Sequence, residues 1–97
     1  MIEKNENRYR VTVPMLIVNA RTLLQAGRDF LLAESAQEIA LDLESVQEVD
    51  SSALGVLFGL LRTAKDCGIG LRVANPPASL ISLAGLYGVS DSLPLAR

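Results

Sequence analysis

The chain has 97 residues, room for one small domain, and a net charge of −2 with no basic cluster, which argues against nucleic acid and against an anionic membrane surface. One cysteine rules out an internal disulfide, and the absence of histidine rules out a Ser–His–Asp triad and leaves little material for a transition-metal site. Apolar residues make up 49% but aromatics only 4%, so the core has to be built from Leu, Val, Ile and Ala.

A lone cysteine in so small a domain suits a reducing compartment. The start, MIEKNENRYR, is polar and lacks the apolar stretch of a secretion signal. No apolar run approaches the roughly 20 residues needed to cross a bilayer. The expectation is a cytosolic protein, mature as written, with no direct membrane insertion.

Met1 to Asn7 reads as a loose start. From Tyr9 the residues alternate, Tyr9, Val11 and Val13 against Arg10 and Thr12, which predicts a half-buried strand ended by Pro14. Met15 to Val18 extends that run. Asn19 can cap a helix over ARTLLQAGRDFLLA, with Ala20, Leu23, Leu24, Gly27, Phe30 and Leu31 on its inner face. Gly27 on that face lets the backbone approach the sheet.

EIALDL, from Glu38 to Leu43, predicts a second strand. After ESVQEVD, the stretch SSALGVLFGLLRTAKDCG carries an inner stripe of Ala53, Val56, Leu57, Leu60, Leu61 and Ala64, with Gly68 as its stop. GLRVAN, residues 70 to 75, predicts a third strand. Pro76 and Pro77 suit the first turn of a last helix whose apolar face is Leu80, Leu83, Ala84 and Tyr87, ending at Gly88. Asp91 to Arg97 is a tail. Strands and helices alternate, so the fold class is α/β, a mostly parallel sheet with helices on its surface.

No phosphate-cradling glycine loop occurs. The carboxylate pairs Glu34 and Glu38, Asp42 and Glu44, and Glu48 and Asp50 read as solvated surface charge. The sequence gives little support to an enzyme and calls for no cofactor or metal.

VDSSALG, residues 49 to 55, stands out at the start of the middle helix. Asp50 or Ser51 can serve as an N-cap, because a side-chain oxygen there accepts from an orphan amide. Ser51 is also reachable by a kinase, and a phosphate there gains from the helix dipole and exposed amides. It would add about two negative charges beside Glu48 and Asp50. Capping and phosphorylation can coexist. Leu54 and Phe58 lie beside the inner stripe, with Arg62 next in line. They are either part of a wide buried stripe or a partly exposed apolar strip rimmed by charge. Asp50, Ser51, Ser52, Leu54, Phe58 and Arg62 form the expected docking surface, with Phe58 and Arg62 suited to an interface centre. Cys67 reads as a packing residue near the helix end.

Leu41, Asp42, Leu43, Val46, Val49, Asp50, Ser51, Ser52, Ala53, Leu54 and Gly55 resemble the signature of STAS domains, the family that includes the anti-sigma factor antagonists. Ala53 departs from it, since antagonists usually carry Gly there. The resemblance implies one small STAS-type domain over residues 1–97, with a loose start at 1–8 and a tail at 89–97. Its sheet would be mixed and mostly parallel, with helices packed mainly on one side. In antagonists the phosphorylated residue directly follows the Asp, which by position is Ser51.

The C-terminal LISLAGLYGVSDSLPLAR is similar to the ending of the MlaB-type branch, through Leu83, Ala84, Leu86, Tyr87, Leu93 and Pro94. In that branch a Thr takes the position of Ser51. This second resemblance implies a non-enzymatic accessory subunit bound to the ATPase of a phospholipid-transporting ABC complex, and through it to the permease. Such a subunit is cytoplasmic and peripheral to the inner membrane. The alternative is an anti-sigma factor antagonist, with an anti-sigma serine kinase as partner and a phosphorylated Ser51. A third class, a small-ligand sensor, finds no pocket marked in the sequence.

Overall fold

The alternation at Arg8–Val11 places Tyr9 and Val11 inward and Arg8 and Arg10 outward, as period two requires. A computed structural model describes residues 1–95. Its elements are β1 (Ile2–Asn5), β2 (Arg8–Val11), α1 (Ile17–Leu32), β3 (Glu38–Asp42), α2 (Ser52–Asp66), β4 (Gly70–Ala74) and α3 (Ala78–Leu86). A 3₁₀ turn follows at Ser90–Ser92. The sheet order is β1-β2-β3-β4. β2, β3 and β4 run parallel, and β1 joins antiparallel to β2.

Each crossover links neighbouring parallel strands, and such crossovers are right-handed. Both α1 and α2 therefore lie on one face of the sheet, against each other. Beneath them Tyr9, Val11, Ile39, Leu41, Leu71 and Val73 are buried. The helices supply Leu23 and Leu31 from α1 and Ala53, Val56, Leu57, Leu60 and Ala64 from α2. Each buried large aliphatic side chain contributes about 1.5–3 kcal/mol of transfer free energy. Leu61, expected within the inner stripe, is half-buried at its margin.

Two glycines set the spacing between the helices. A Cβ on Gly27 would lie 2.6 Å from Leu60 Cδ2, and one on Gly59 would lie 2.8 Å from Leu24 Cδ1. Gly27 thus opens room for α2, not for the sheet as expected from sequence. Gly68 and Gly88 end α2 and α3 in the same way, with φ of 72° and 69°. In each case the following residue closes the helix: Ile69 N–H donates to the Ala64 carbonyl and Val89 N–H to the Ala84 carbonyl, both at 2.8 Å.

Several expectations are corrected. The N-terminal segment is not loose: Ile2–Asn5 forms an edge strand, turned back through Glu6, whose φ is 56°. α1 begins at Ile17, so Met15 to Val18 is not all extended and Asn19 lies within the first turn instead of capping it. Pro77 sits at the N-cap of α3, one residue before its first turn, and Pro76 lies outside. The described part of the tail is tied down, the expected tail at residues 96 and 97 lying outside the described residues: Leu93 is buried, and Val73 N–H donates to the Pro94 carbonyl at 2.8 Å along the free edge of β4. Tyr87 points outward, 57% exposed, and not into the apolar face of α3. Cys67 is exposed, because it falls at the C-cap of α2 beyond the last buried turn. Among the described residues no helix is long and apolar enough to cross a membrane.

Candidate docking site

Asp50 organises the start of α2, and more. One carboxylate oxygen, Oδ1, accepts from Ser52 N–H at 2.9 Å and from the Ser52 hydroxyl. The other, Oδ2, accepts from Ile17 N–H at 2.9 Å, an orphan amide at the start of α1. Leu16, the residue before α1, offers no side-chain cap of its own. One carboxylate therefore caps two helices, its own and one whose first residue lies 33 positions upstream of it in the chain. The hydrogen bond from Ser52, then the Ile17 amide, hold Asp50 below the usual carboxylate range. The backbone joins the same pair of segments: Met15 N–H donates to the Glu48 carbonyl at 2.9 Å, and Asp50 N–H to the Met15 carbonyl at 3.2 Å.

This resolves the choice between Asp50 and Ser51 as cap. Asp50 does the capping, and Ser51 makes no side-chain cap hydrogen bond and is exposed. Three amides near Ser51 are already taken. Ser52 N–H is held by Asp50 Oδ1, Ala53 N–H donates to the Asp50 carbonyl and Leu54 N–H to the Ser51 carbonyl. The expectation that a phosphate on Ser51 gains from exposed amides is corrected accordingly. Such a phosphate would stand beside the Asp50 carboxylate with these donors occupied.

Ser51 opens onto a groove of about 350 Å³ lined with Leu54, Phe58, Tyr87 and Val89. Leu54 is buried at 7% exposure and Phe58 is half-buried, so the strip beside the inner stripe belongs partly to each of the two readings. Ser52 is half-buried and spent on Asp50. Arg62 is exposed and stands outside the groove lining. The structure thus brings together Asp50, Ser51, Leu54 and Phe58 and leaves Arg62 apart. Tyr87 and Val89 were missed as site residues. Helical spacing assigns Tyr87 to the core side of α3, but the Gly88 stop places it at the C-cap, facing the groove.

Like Asp50, Asp42 and Glu34 are built into the fold instead of standing as solvated surface charge. Asp42 is buried on the sheet face opposite the helices. Its Oδ1 accepts from Glu44 N–H and Asn75 Nδ2, both at 3.0 Å, and its Oδ2 lies 2.9 Å from Arg8 Nη1 and 3.7 Å from Arg10 Nη2. Burial pushes Asp42 up, but the Asn75 amide, the Glu44 N–H and Arg8 outweigh it and hold the group below its ordinary value. Glu34 accepts from the Tyr9 hydroxyl and from the amides of Ser35 and Ala36, and pairs with Lys4 at 3.4 Å. Tyr9, then the Ala36 amide, hold Glu34 down to about 2. Burial, then Glu34, push the Tyr9 phenol up. Among the described residues no group of three His, Cys, Asp or Glu side chains could hold a metal ion.

A mixed four-stranded sheet backed by helices on one face, with an Asp-Ser-Ser start to the middle helix, defines a STAS domain. The chain belongs to the STAS domain family, which it matches over residues 1–97. It is 26% identical over 95 residues to the anti-sigma-B factor antagonist of Bacillus subtilis, covering 98% of this chain and 87% of that one. It is 31% identical over 64 residues to the intermembrane phospholipid transport system binding protein MlaB of Haemophilus influenzae, covering 64% of this chain and 61% of that protein. Its fold is similar to that of the Bacillus anti-sigma factor antagonist SpoIIAA in its unphosphorylated form, with a TM-score of 0.73 at 14% identity, over 100% of this chain and 87% of that one.

Proposed function

We propose that this protein is a non-enzymatic accessory subunit whose STAS domain binds the ATPase of an Mla-type ABC transporter. There it supports assembly and activity in phospholipid transport for outer-membrane lipid asymmetry. It would work in the cytoplasm, peripheral to the inner membrane through its complex. The observation that carries this reading is an uncapped, exposed Ser51 hydroxyl at the rim of an apolar groove to which Tyr87 contributes. Tyr87 belongs to the Leu-Ala-Gly-Leu-Tyr stretch that resembles the MlaB-type ending, so one groove joins both elements of the resemblance. An aromatic pair beside a hydroxyl, lining an open apolar groove, suits a protein partner.

The experiment is co-expression with the cognate ATPase. A stable complex that raises ATP turnover is expected, and Ser51→Asp or Phe58→Asp is expected to weaken it at least about tenfold by placing charge in a desolvated contact. An ATPase that ignores the protein in both pull-down and turnover assays overturns the reading.

A second reading, an anti-sigma factor antagonist switched at Ser51, is favoured by the Bacillus subtilis relative, which spans nearly the whole chain. SpoIIAA, similar in fold, is known in phosphorylated and unphosphorylated forms. Incubation with an anti-sigma serine kinase and ATP, followed by mass spectrometry, separates the two. Phosphate on Ser51 supports the antagonist, and an unmodified Ser51 removes it.

A further inference from the structure

Three glycines lie within α1 and α2, and two of them have an internal occupant: Leu60 seats on Gly27 and Leu24 on Gly59. Gly55 has none. It is the fourth residue of α2, exposed, and a Cβ built on it meets no atom within 4 Å. Its φ is not positive, so no turn calls for glycine there. Glycine is the poorest helix former after proline. The fold therefore loses stability by having it at this position and gains no packing in return.

Gly55 lies in the middle of the candidate docking site. Ser51, Gly55, Phe58 and Arg62 follow one another at steps of four, three and four residues, the spacing of one helix face. Ser51, Gly55 and Arg62 are exposed, and Phe58 is half-buried. Arg62, which the groove leaves out, stands on this line and has no ion pair among the described residues. No charged side chain lies between Asp50 and Arg62 in the chain. The charges of the helix layer are Arg21, Arg28, Arg62 and Lys65 against Asp29 and Asp66, all exposed, in a chain whose net charge is −2. Asp29 accepts from Gln25 at 2.9 Å. The layer that presents Gly55 is thus cationic on balance, which suits an acidic partner.

We infer that Gly55 is the close-approach point of the docking face: the partner's main chain lies directly on α2 there, in space that any side chain would fill. The occupant is a segment of the transporter ATPase that brings its main chain to Gly55 and a carboxylate to Arg62. This inference rests on the reading that the Ser51 end docks that ATPase, and it adds how the partner is seated.

The test is a titration of the purified cognate ATPase with the full chain and its variants, alongside thermal unfolding of each variant. Gly55→Ala is expected to move the two readouts in opposite directions. Tm rises by about 4 °C, because alanine is the better helix former. Binding weakens about tenfold, because the added methyl overfills the contact. Gly55→Leu is expected to weaken binding further. Arg62→Glu is expected to weaken it most at low salt, where charge acts over the longest range. If Gly55→Ala raises Tm and binds like the unaltered chain while Ser51→Asp releases the ATPase, the docking end stands and the close approach is overturned. A fall in Tm with Gly55→Ala also overturns it, because the glycine would then serve the fold. Unchanged binding by Arg62→Glu overturns the carboxylate contact. Failure of the unaltered chain to bind the ATPase overturns the parent reading and this one with it.

Discussion

Asp42 and Asp50 stand eight positions apart in one segment, and both carboxyls are held below their ordinary range. Their surroundings differ. Asp42 is closed in: two arginines, one asparagine and one amide consume both its oxygens on the sheet. Asp50 spends its oxygens on two helix starts and in doing so frees its neighbour, Ser51. The same side chain thus locks structure at one site and presents a surface at the other. What decides the outcome is whether the donors come from the adjoining strands or from separate helix ends.

The largest break in this comparison is Asp42→Ala. It leaves the Asn75 amide and the Glu44 N–H without their acceptor and sets Arg8 and Arg10 against each other. Urea unfolding is expected to show a loss of about 2 kcal/mol, typical of hydrogen bonds to a charged group, with the half-exposed guanidinium groups adding little. Partner binding by the folded fraction is expected to persist. Asp50→Ala reverses that balance: a smaller fall in the unfolding midpoint, with strong loss of ATPase binding, because α1 and α2 lose their shared anchor. Equal stability losses from the two substitutions would erase the distinction.

Acid sharpens it next. Glu34, Asp42 and Asp50 are all lowered in the folded chain, Glu34 from 4.5 to about 2. The unfolded chain therefore takes up protons first. Stability from these groups is complete above about pH 4.5 and is lost as pH falls toward 2. Asp42→Asn is expected to reduce that slope in acid unfolding curves. The smallest effect is expected from Ser51→Ala, which changes an exposed hydroxyl that caps nothing. Its stability should stay within about 0.5 kcal/mol of the parent chain.

Much of the scaffold was legible. Period-two alternation found β2, and the 3.6-residue stripe from Ala53 to Ala64 found α2, because both patterns report one-sided burial. β1 was missed because an edge strand with three exposed residues has no such pattern, and its turn uses Glu6 where Gly or Asn would have announced it. The Ser51 motif was visible as a local pattern. Its link to Ile17 was not, since a carboxylate capping a helix 33 residues upstream leaves no periodic trace. Ile17 and Val18 likewise read as strand residues, because Leu16 before them carries no side-chain cap to signal a helix start.

The reciprocal seating of Leu60 over Gly27 and Leu24 over Gly59 carries a consequence for recognition. Neither helix can slide along the other by a turn without driving a leucine into backbone. The tips they carry are thereby fixed relative to one another before any encounter. A second molecule meets a rigid mould, and little ordering is left to oppose its arrival.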